Sequence, residues 1–552
     1  MGDLMIPSGD TLTGVRAEPV QALRQAQRER SRLLAQLDAQ TWDLVVIGGG
    51  ISGAGVAQQA ARRGWRVLLI EQRDFAWGTS SRSSKLVHGG LRYLKEGDVK
   101  TTLHSVRERQ RLMREAPELI EPQSFLFANC LGRKPGRWLF QTGLVLYDLM
   151  AGLRSHFWAD LPTTQILAPG LGPPQMRGAL VFQDAKTDDA RLVWRVLMQA
   201  QRDGAALLNY VAAQGLQLDA GGRVAGVTVQ DGLTGQTYQV RTKAVVNATG
   251  AWADRLRRAV SGKPMLRPLR GSHLLVPFWR LPVAQAISLM HPKDGRPVFL
   301  YPWEGATLIG TTDLDHRADL DVEASITPQE VDYLIEAVND QFPAAALRPI
   351  DVSACYAGVR PVVDDGKGAA SQAARDHVVL DESGLITLTG GKLTTFRLMA
   401  QDALALAAVH VGQAFAKDDG VIFTPVGALN PRWSASVRHR LAARYGYRAE
   451  ELSRHATEAE LQTIAGTQTL WLELSVAAQF EAVVHLDDLL LRRTRLGILL
   501  PRGGLDHLAR IRALCQPYLP WDDAQWQSEI ERYRALIAAH YQLPPSTLDK
   551  EP

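Results

Sequence analysis

Hydrophobic and polar positions change period along this chain, and the changes divide it. Leu44–Ile47 is an unbroken apolar run, the pattern of a strand buried on both faces. Ala54, Val56, Ala57, Ala60 and Ala61 then place small apolar residues at helical spacing. Arg62 and Arg63 suit the negative end of that helix, and Gly64 suits its stop. Val67–Ile70 is a second apolar run, closed by Glu71. The spacing predicts strand, turn, helix and strand over residues 43–71.

Further on, Asp98 can cap a helix whose apolar stripe is Val99, Leu103, Val106 and Met113. Residues 118–175 are rich in prolines and aromatics and hold one amphipathic helix near 138–152. Asp188, Asp189 and Arg191 open a helix that runs to about Arg202, and Ala206–Val211 follows as a strand. Val224–Val229 and Tyr238–Val240 alternate around two turn dipeptides, which predicts a β-hairpin. Ala244–Gly250 is a buried strand running into a turn. His273–Val276, Val298–Tyr301 and Thr307–Ile309 predict an antiparallel sheet, interrupted by a helix over Pro328–Val338. Leu385–Thr389 is a strand, Gly390-Gly391 a turn, and Thr394–His410 a helix. Residues 430–552 are helical in pattern. A basic amphipathic helix over 15–40 has a leucine edge that either packs on the domain or meets a membrane or partner. The expected division is an N-terminal extension over 1–40; a discontinuous nucleotide-binding domain over 41–117, 176–262 and 353–411; a substrate domain over 118–175 and 263–352; and a helical domain over 412–552.

Composition narrows this picture only a little. The chain has 552 residues, 46% hydrophobic and 22% charged, with a net charge of +4. That is an ordinary globular balance with no nucleic-acid signature. Cys130, Cys355 and Cys515 lie far apart with no C-x-x-C, so neither a disulfide scaffold nor a metal site is expected, and a reducing compartment fits. No secretory signal is read, and no apolar run is long enough to span a bilayer; Trp138–Leu153 is broken by Gln141 and Asp148. Attachment to a membrane surface stays compatible with this.

The candidate chemistry starts at Gly48, Gly50 and Gly53, a G-x-G-x-x-G directly after a strand and opening a helix. The glycines allow a tight turn, close approach of a pyrophosphate, and close helix–sheet packing. The helix N-terminus faces the phosphates. Glu71 is placed for ribose hydroxyls, which favours FAD or NAD over NADP. Two more glycine turns follow buried strands, after Val246 and after Leu388. A flavin held along its length uses several such turns, and the last can aim N–H groups at the flavin N1/C2=O edge. His88, Arg92, Tyr93, Arg360 and Lys392 lie beside these turns, and the arginine forks suit phosphate or carboxylate.

On these residues, and on IGGGISGAG, TSSRSSKLVHGGLRYL, DDARL at Asp188–Leu192, VNATGAW, RGSH at Arg270–His273, GTTD at Gly310–Asp313, YAGVRP at Tyr356–Pro361, GGKLTTFR at Gly390–Arg397 and Arg492–Gly497, the sequence resembles the FAD-dependent, quinone-linked (aerobic) glycerol-3-phosphate dehydrogenase family. The likeness covers roughly residues 40 to 510. It implies an α/β FAD-binding Rossmann-like domain of the p-hydroxybenzoate-hydroxylase/D-amino-acid-oxidase type, an antiparallel β substrate domain and a C-terminal all-α domain. It implies oxidation of sn-glycerol 3-phosphate to dihydroxyacetone phosphate, with electrons passed to ubiquinone or a similar quinone. A cytoplasmic protein on the inner face of the membrane would follow, and a homodimer is compatible.

The resemblance assigns cofactor contacts to Gly48, Gly50, Ser52, Gly53, Glu71, Thr79, Ser80, Ser81, Ser84, Lys85, His88, Gly89, Gly90, Ala248, Thr249, Gly250, Gly390, Gly391, Lys392, Leu393 and Thr394. Substrate contacts fall to Arg92, Tyr93, His273, Thr312, Asp313, Arg360 and Lys392, although Asp313 equally suits a structural turn. His88 is the preferred base, and Arg360 its rival for the developing alkoxide. A glycerol-3-phosphate oxidase, another flavin oxidase of the same fold, and a non-enzymatic flavin-binding protein stay open as alternatives.

Overall fold

The computed structural model describes residues 19–91, 94, 97–260, 263–364, 377–418 and 420–548. In chain order, α1 (Pro19–Gln36) precedes β1 (Thr41–Ile47), α2 (Ile51–Ala61) and β2 (Val67–Glu71). Next come α3 (Val99–Glu115), β3 (Glu121–Cys130), α4 (Arg137–Ala151), β4 (Phe157–Asp160), β5 (Met176–Lys186) and α5 (Asp189–Arg202). β6 (Ala206–Asn209), β7 (Val211–Leu218), β8 (Val224–Asp231) and β9 (Thr237–Asn247) follow. A run of strands then holds β10 (Leu266–Pro277), β11 (Ala286–Met290), β12 (Pro297–Trp303), β13 (Ala306–Gly310) and β14 (Leu314–Asp315). After α6 (Pro328–Gln341) come β15 (Ala354–Val363), β16 (His377–Glu382), β17 (Leu385–Gly390) and α7 (Phe396–Val411).

The first sheet has eight strands in the order β16-β17-β9-β1-β2-β6, with the β7–β8 hairpin joined to β9. β17, β9, β1, β2 and β6 are parallel neighbours. Leu44 and Val46 point to one face, where α2, α5 and α7 bring Ala57, Val196 and Leu404. Val45 and Ile47 point to the other, where Leu68, Val227 and Val240 meet them. Both faces are covered, which is why the strand reads as an unbroken apolar run. Leu37 is fully buried in that second cluster with Leu33 and Leu34 beside it, and Arg30 pairs with Asp231 at 2.7 Å. The leucine edge of the N-terminal helix therefore packs on the domain.

The second sheet has nine strands, ordered β14-β10-β13-β12-β11-β3-β5-β4, with β15 also on β10. It is mixed rather than wholly antiparallel, because β11 and β3 run parallel. Two segments expected in the nucleotide-binding domain pair here instead: β5 with β3, and β15 with β10. The apolar run of β5 reads equally well in either sheet, and only its distant partner decides. One face of this sheet packs on α6 through Leu274, Ile309 and Leu334. The other carries Tyr301, Trp303 and Tyr356 against Leu474, Leu490, Trp526 and Tyr533 of the C-terminal helices. Those helices include α8 (Ala435–Tyr445), α9 (Trp471–Phe480) and α10 (Asp523–His540). Among the described residues no helix is long and apolar enough to cross a membrane.

Candidate active site

Three turns leave one edge of the first sheet. Thr387 of β17 lies beside Asn247 of β9, and Asn247 beside Ile47 of β1, all parallel. Gly390-Gly391, Ala248–Gly250 and Gly48–Gly53 therefore exit together, into the crevice where open α/β sheets bind ligands. Gly48 has φ 113°, and a Cβ there would lie 2.5 Å from the Ala248 carbonyl oxygen. A Cβ on Gly53 would lie 1.9 Å from the Gly48 oxygen. α2 begins after Gly50 with no capping side chain, and Ser52 is in its first turn. Its Ile51 N–H donates to Ser80 Oγ at 3.0 Å. The Glu71 carboxylate accepts from Gly49 N–H at 2.7 Å and Arg73 N–H at 2.9 Å. Burial pushes this carboxyl up, against those two donors. Backbone packing that only glycine allows at Gly48 and Gly53, a helix start with no side chain at its N-cap and an acid at the end of the second strand fit FAD.

The loop from Thr79 to Gly90 joins this edge to the second sheet. Thr79 Oγ1 donates to the Val359 carbonyl of β15. Ser84 Oγ shares a 2.9 Å hydrogen bond with His273 Nε2 of β10. Thr394 Oγ1 donates to the His88 carbonyl at 3.1 Å, which ties the loop to the turn after β17. Gly89 N–H donates to Asp184 at 3.1 Å, and Gly90 has φ 78°. Thr249 donates to Asn247 Oδ1 at 2.7 Å, and Gly250 has φ 59°. Lys392 Nζ donates to Ser105 Oγ of α3 at 2.9 Å. Leu393–Thr395 is a 3-10 turn and α7 starts at Phe396. Gly390 and Gly391 thus open a short turn ahead of the helix, which was expected to start at Thr394.

Arg360 projects from β15 opposite Leu269 and is a quarter exposed. Its guanidinium donates to Asp313 Oδ1 at 3.1 Å and to Thr311 Oγ1 at 3.0 Å. The second Asp313 oxygen meets Arg296 at 3.0 Å, so this buried aspartate is a clamp for two arginines. Thr312 departs from its expected substrate role. Its hydroxyl accepts from Ser272 N–H at 2.8 Å and donates to Glu330 at 2.7 Å, inside the domain. His273 is 1% exposed and stacks on Tyr356 with ring centroids 4.7 Å apart. Burial, then the charges of Arg360 and Lys85, hold its imidazole well below the usual range, so it is neutral.

Lys85 also departs from expectation. Its side chain is fully buried and donates to Asp189 Oδ1 at 2.9 Å and to the Ser81 carbonyl at 3.0 Å. Burial first, then Arg495, lowers its amine to about 8. The Ser81 carbonyl also accepts from Arg495 at 2.9 Å. These groups face the ion network described next. Arg92 and Tyr93 lie outside the described residues.

Two features escaped the sequence reading. Asp188 and Asp189, read as a helix start and as part of a family motif but with no partner named, meet the Arg492–Gly497 stretch from the far end of the chain. Arg495 pairs with Asp188 at 3.2 Å and also with Asp189, Arg444 with Asp188 at 3.0 Å, Arg191 with Glu481 at 2.7 Å, and Arg493 with Asp74 at 2.7 Å. The network is buried between the nucleotide domain and the C-terminal helices. Its one sequence signal is charge inside otherwise apolar runs, which does not name a partner. The other feature is Glu330, a carboxylate 2% exposed. Thr327-Pro328-x-Glu330 is a capping-box pattern, legible as a helix start but not as anything more.

The family model described as FAD dependent oxidoreductase matches residues 43–400, and the one described as C-terminal domain of alpha-glycerophosphate oxidase matches residues 386–526. An aerobic glycerol-3-phosphate dehydrogenase of Staphylococcus haemolyticus is 34% identical over 495 residues, which is 84% of this chain and 88% of that protein. One from Staphylococcus aureus is 32% identical over 542 residues, 92% of this chain and 96% of that protein. The structure of the glycerol-3-phosphate dehydrogenase from Bacillus halodurans complexed with FAD is similar with a TM-score of 0.73 at 28% identity, covering 92% of this chain and 96% of that one. The L-alpha-glycerophosphate oxidase of Mycoplasma pneumoniae, with a TM-score of 0.55 at 17% identity over 69% of this chain and 97% of that one, shares the fold. With relatives aligned along nearly its whole length and an oxidoreductase model over most of it, the chain belongs to the FAD-dependent glycerol-3-phosphate dehydrogenase family.

Proposed function

We propose that this chain binds FAD, oxidises sn-glycerol 3-phosphate to dihydroxyacetone phosphate, and passes the electrons to a membrane quinone. The observation that carries the reading is that one sheet edge gathers three glycine turns with Arg360, Lys392 and the His88 loop. FAD, when bound, supplies the acceptor for the C2 hydride. The glycine turns and the start of α2 hold its phosphates. Lys392 and Arg360, with Arg92 and Tyr93, hold the anionic substrate. His88 takes the C2 hydroxyl proton, since an imidazole titrates near working pH. Arg360 stabilises the developing alkoxide. Asp313 narrows the directions in which its guanidinium can point. An anaerobic absorbance scan tests this directly. Glycerol 3-phosphate should bleach a yellow protein; a colourless protein that refuses FAD, or a yellow one that the substrate leaves oxidised, overturns the reading.

An apolar helix face supports the quinone as acceptor over oxygen. On α4, Trp138, Leu139 and Leu149 are more than two-thirds exposed, and Leu131, Phe157 and Ile166 of the adjoining segments are exposed too. Lys134, Arg137 and Arg154 flank α4 along the chain, while Asp148 is buried and accepts from Ser155 and His156. An apolar helix face with basic residues before and after it in the chain suits an anionic membrane surface, on the inner side of the cytoplasmic membrane. The protein should co-float with anionic liposomes, and Trp138→Glu with Leu149→Glu should abolish this. A dimer in solution that these substitutions disperse would give the face to a second copy instead. Reduced enzyme should reoxidise faster with a quinone than with oxygen in stopped flow.

A further inference from the structure

The RGSH and GTTD stretches converge on one buried carboxylate. Glu330, third residue of α6, takes Arg270 Nη2 at 2.8 Å and the Thr327 N–H and hydroxyl at 3.0 and 2.9 Å on one oxygen. Its other oxygen takes the Ser272 and Thr312 hydroxyls at 2.8 and 2.7 Å. A capping box needs only the Thr327 contacts. The rest fasten β10 and the turn after β13 to the start of α6. That turn, Thr311–Asp313, carries Thr311 Oγ1 and Asp313 Oδ1, both of which accept from the Arg360 guanidinium. The guanidinium also lies close against Gly271, where a Cβ would sit 2.4 Å from Nη2 and 2.6 Å from Thr311 Oγ1. Each of the four residues of RGSH then has a reason: Arg270 and Ser272 bind Glu330, Gly271 makes room for Arg360, and His273 bonds the Ser84 loop.

We propose that Glu330 is the positioning residue for Arg360: by holding Thr312 it sets the turn whose Thr311 and Asp313 fix the guanidinium. Glu330 touches neither substrate nor cofactor in this scheme. It acts through two intermediaries, and the proposal rests on the reading that Arg360 meets the reacting substrate. A group that must lie within a fraction of an ångström of a developing charge loses about 10²-fold in rate when it drifts by about 1 Å. The turn is short and has no helix or long strand of its own to stiffen it, since β14 has only two residues, Leu314 and Asp315. The carboxylate supplies the stiffness.

A double-mutant cycle on purified holoenzyme tests this, with kcat/KM for glycerol 3-phosphate read with an artificial acceptor, and FAD content read from absorbance. Glu330→Gln and Thr312→Val, each keeping its shape, should lower kcat/KM by about 10- to 100-fold, mostly in kcat, with FAD retained. In an Arg360→Ala background the same substitutions should change it by less than about twofold, because the group they position is gone. Equal losses in both backgrounds, or wild-type activity of both variants, overturn the role of Glu330. Loss of FAD from both variants makes Glu330 a fold residue and overturns it as well. Wild-type activity of Arg360→Ala alone instead overturns the reading of Arg360.

Discussion

Two imidazoles border the same loop, and their surroundings give them different chemistry. His273 is sealed between Tyr356 and the Ser84 hydroxyl, where burial and then the Arg360 charge keep it neutral. His88 is partly exposed in the loop that meets the last glycine turn. Of the two, His88 is the base proposed above. His88→Ala should depress kcat and flatten the pH–rate profile; an unchanged profile rules it out. His273 should appear in stability instead. Its folded pKa lies below that of the unfolded chain, so the unfolded state takes up a proton as pH falls below about 6.5 and the native state refuses it. Melting temperature should thus fall from pH 6.5 to pH 5, and by less in His273→Asn. Equal slopes would contradict the buried, neutral assignment.

At the scale of elements, the local signals were the reliable ones. Asp98 caps α3 by accepting from Thr101 N–H at 3.0 Å, and Asp188 caps α5 by accepting from Arg191 N–H at 3.3 Å, as their positions before apolar stripes predict. The unbroken apolar runs became parallel strands. Sheet membership was less legible, because β5 and β15 carry no residue that names a partner. The β1–turn–α2 unit depends most on one atom-scale contact. Gly53→Ala would put a methyl 1.9 Å from the Gly48 oxygen, so α2 must lift from the sheet. The expected cost is about 1–3 kcal/mol, together with loss of most bound FAD. Thermal unfolding and the flavin-to-protein absorbance ratio measure both, and full FAD occupancy would refute the packing argument.

At the scale of the whole molecule, buried charge joins the two ends of the chain. Burial alone would raise the Asp188 carboxyl, but Arg495, Arg444, Lys85 and Arg191 outweigh it and hold it well below the usual carboxylate range. A depressed folded pKa contributes stability that is fully present above about pH 4, the unfolded value, and is lost as pH falls below it. Asp188→Asn leaves Arg495 and Arg444 each with one acid fewer, Asp189 and Glu473 remaining, and should cost about 1–3 kcal/mol at neutral pH while flattening the acid limb of the stability curve. Urea unfolding at several pH values reads both effects. A variant as stable as wild type would mean that the interface is held by its apolar contacts alone.

Short-range pattern by itself determined the strand–turn–helix–strand start, the three glycine turns, the helix starts at Asp98 and Asp188 and the presence of a separate helical end. Those features rest on residues a few positions apart, whose spacing alone fixes a periodicity or a backbone angle. Only the tertiary structure decided that the three turns share one sheet edge, that Lys85 and Thr312 face inward, that Glu330 gathers both strand motifs, and that Asp188 and Asp189 belong to Arg495. Each of these is a pairing across a long stretch of chain, and a charge or hydroxyl in a sequence shows the need for a partner without saying which one burial will bring to it.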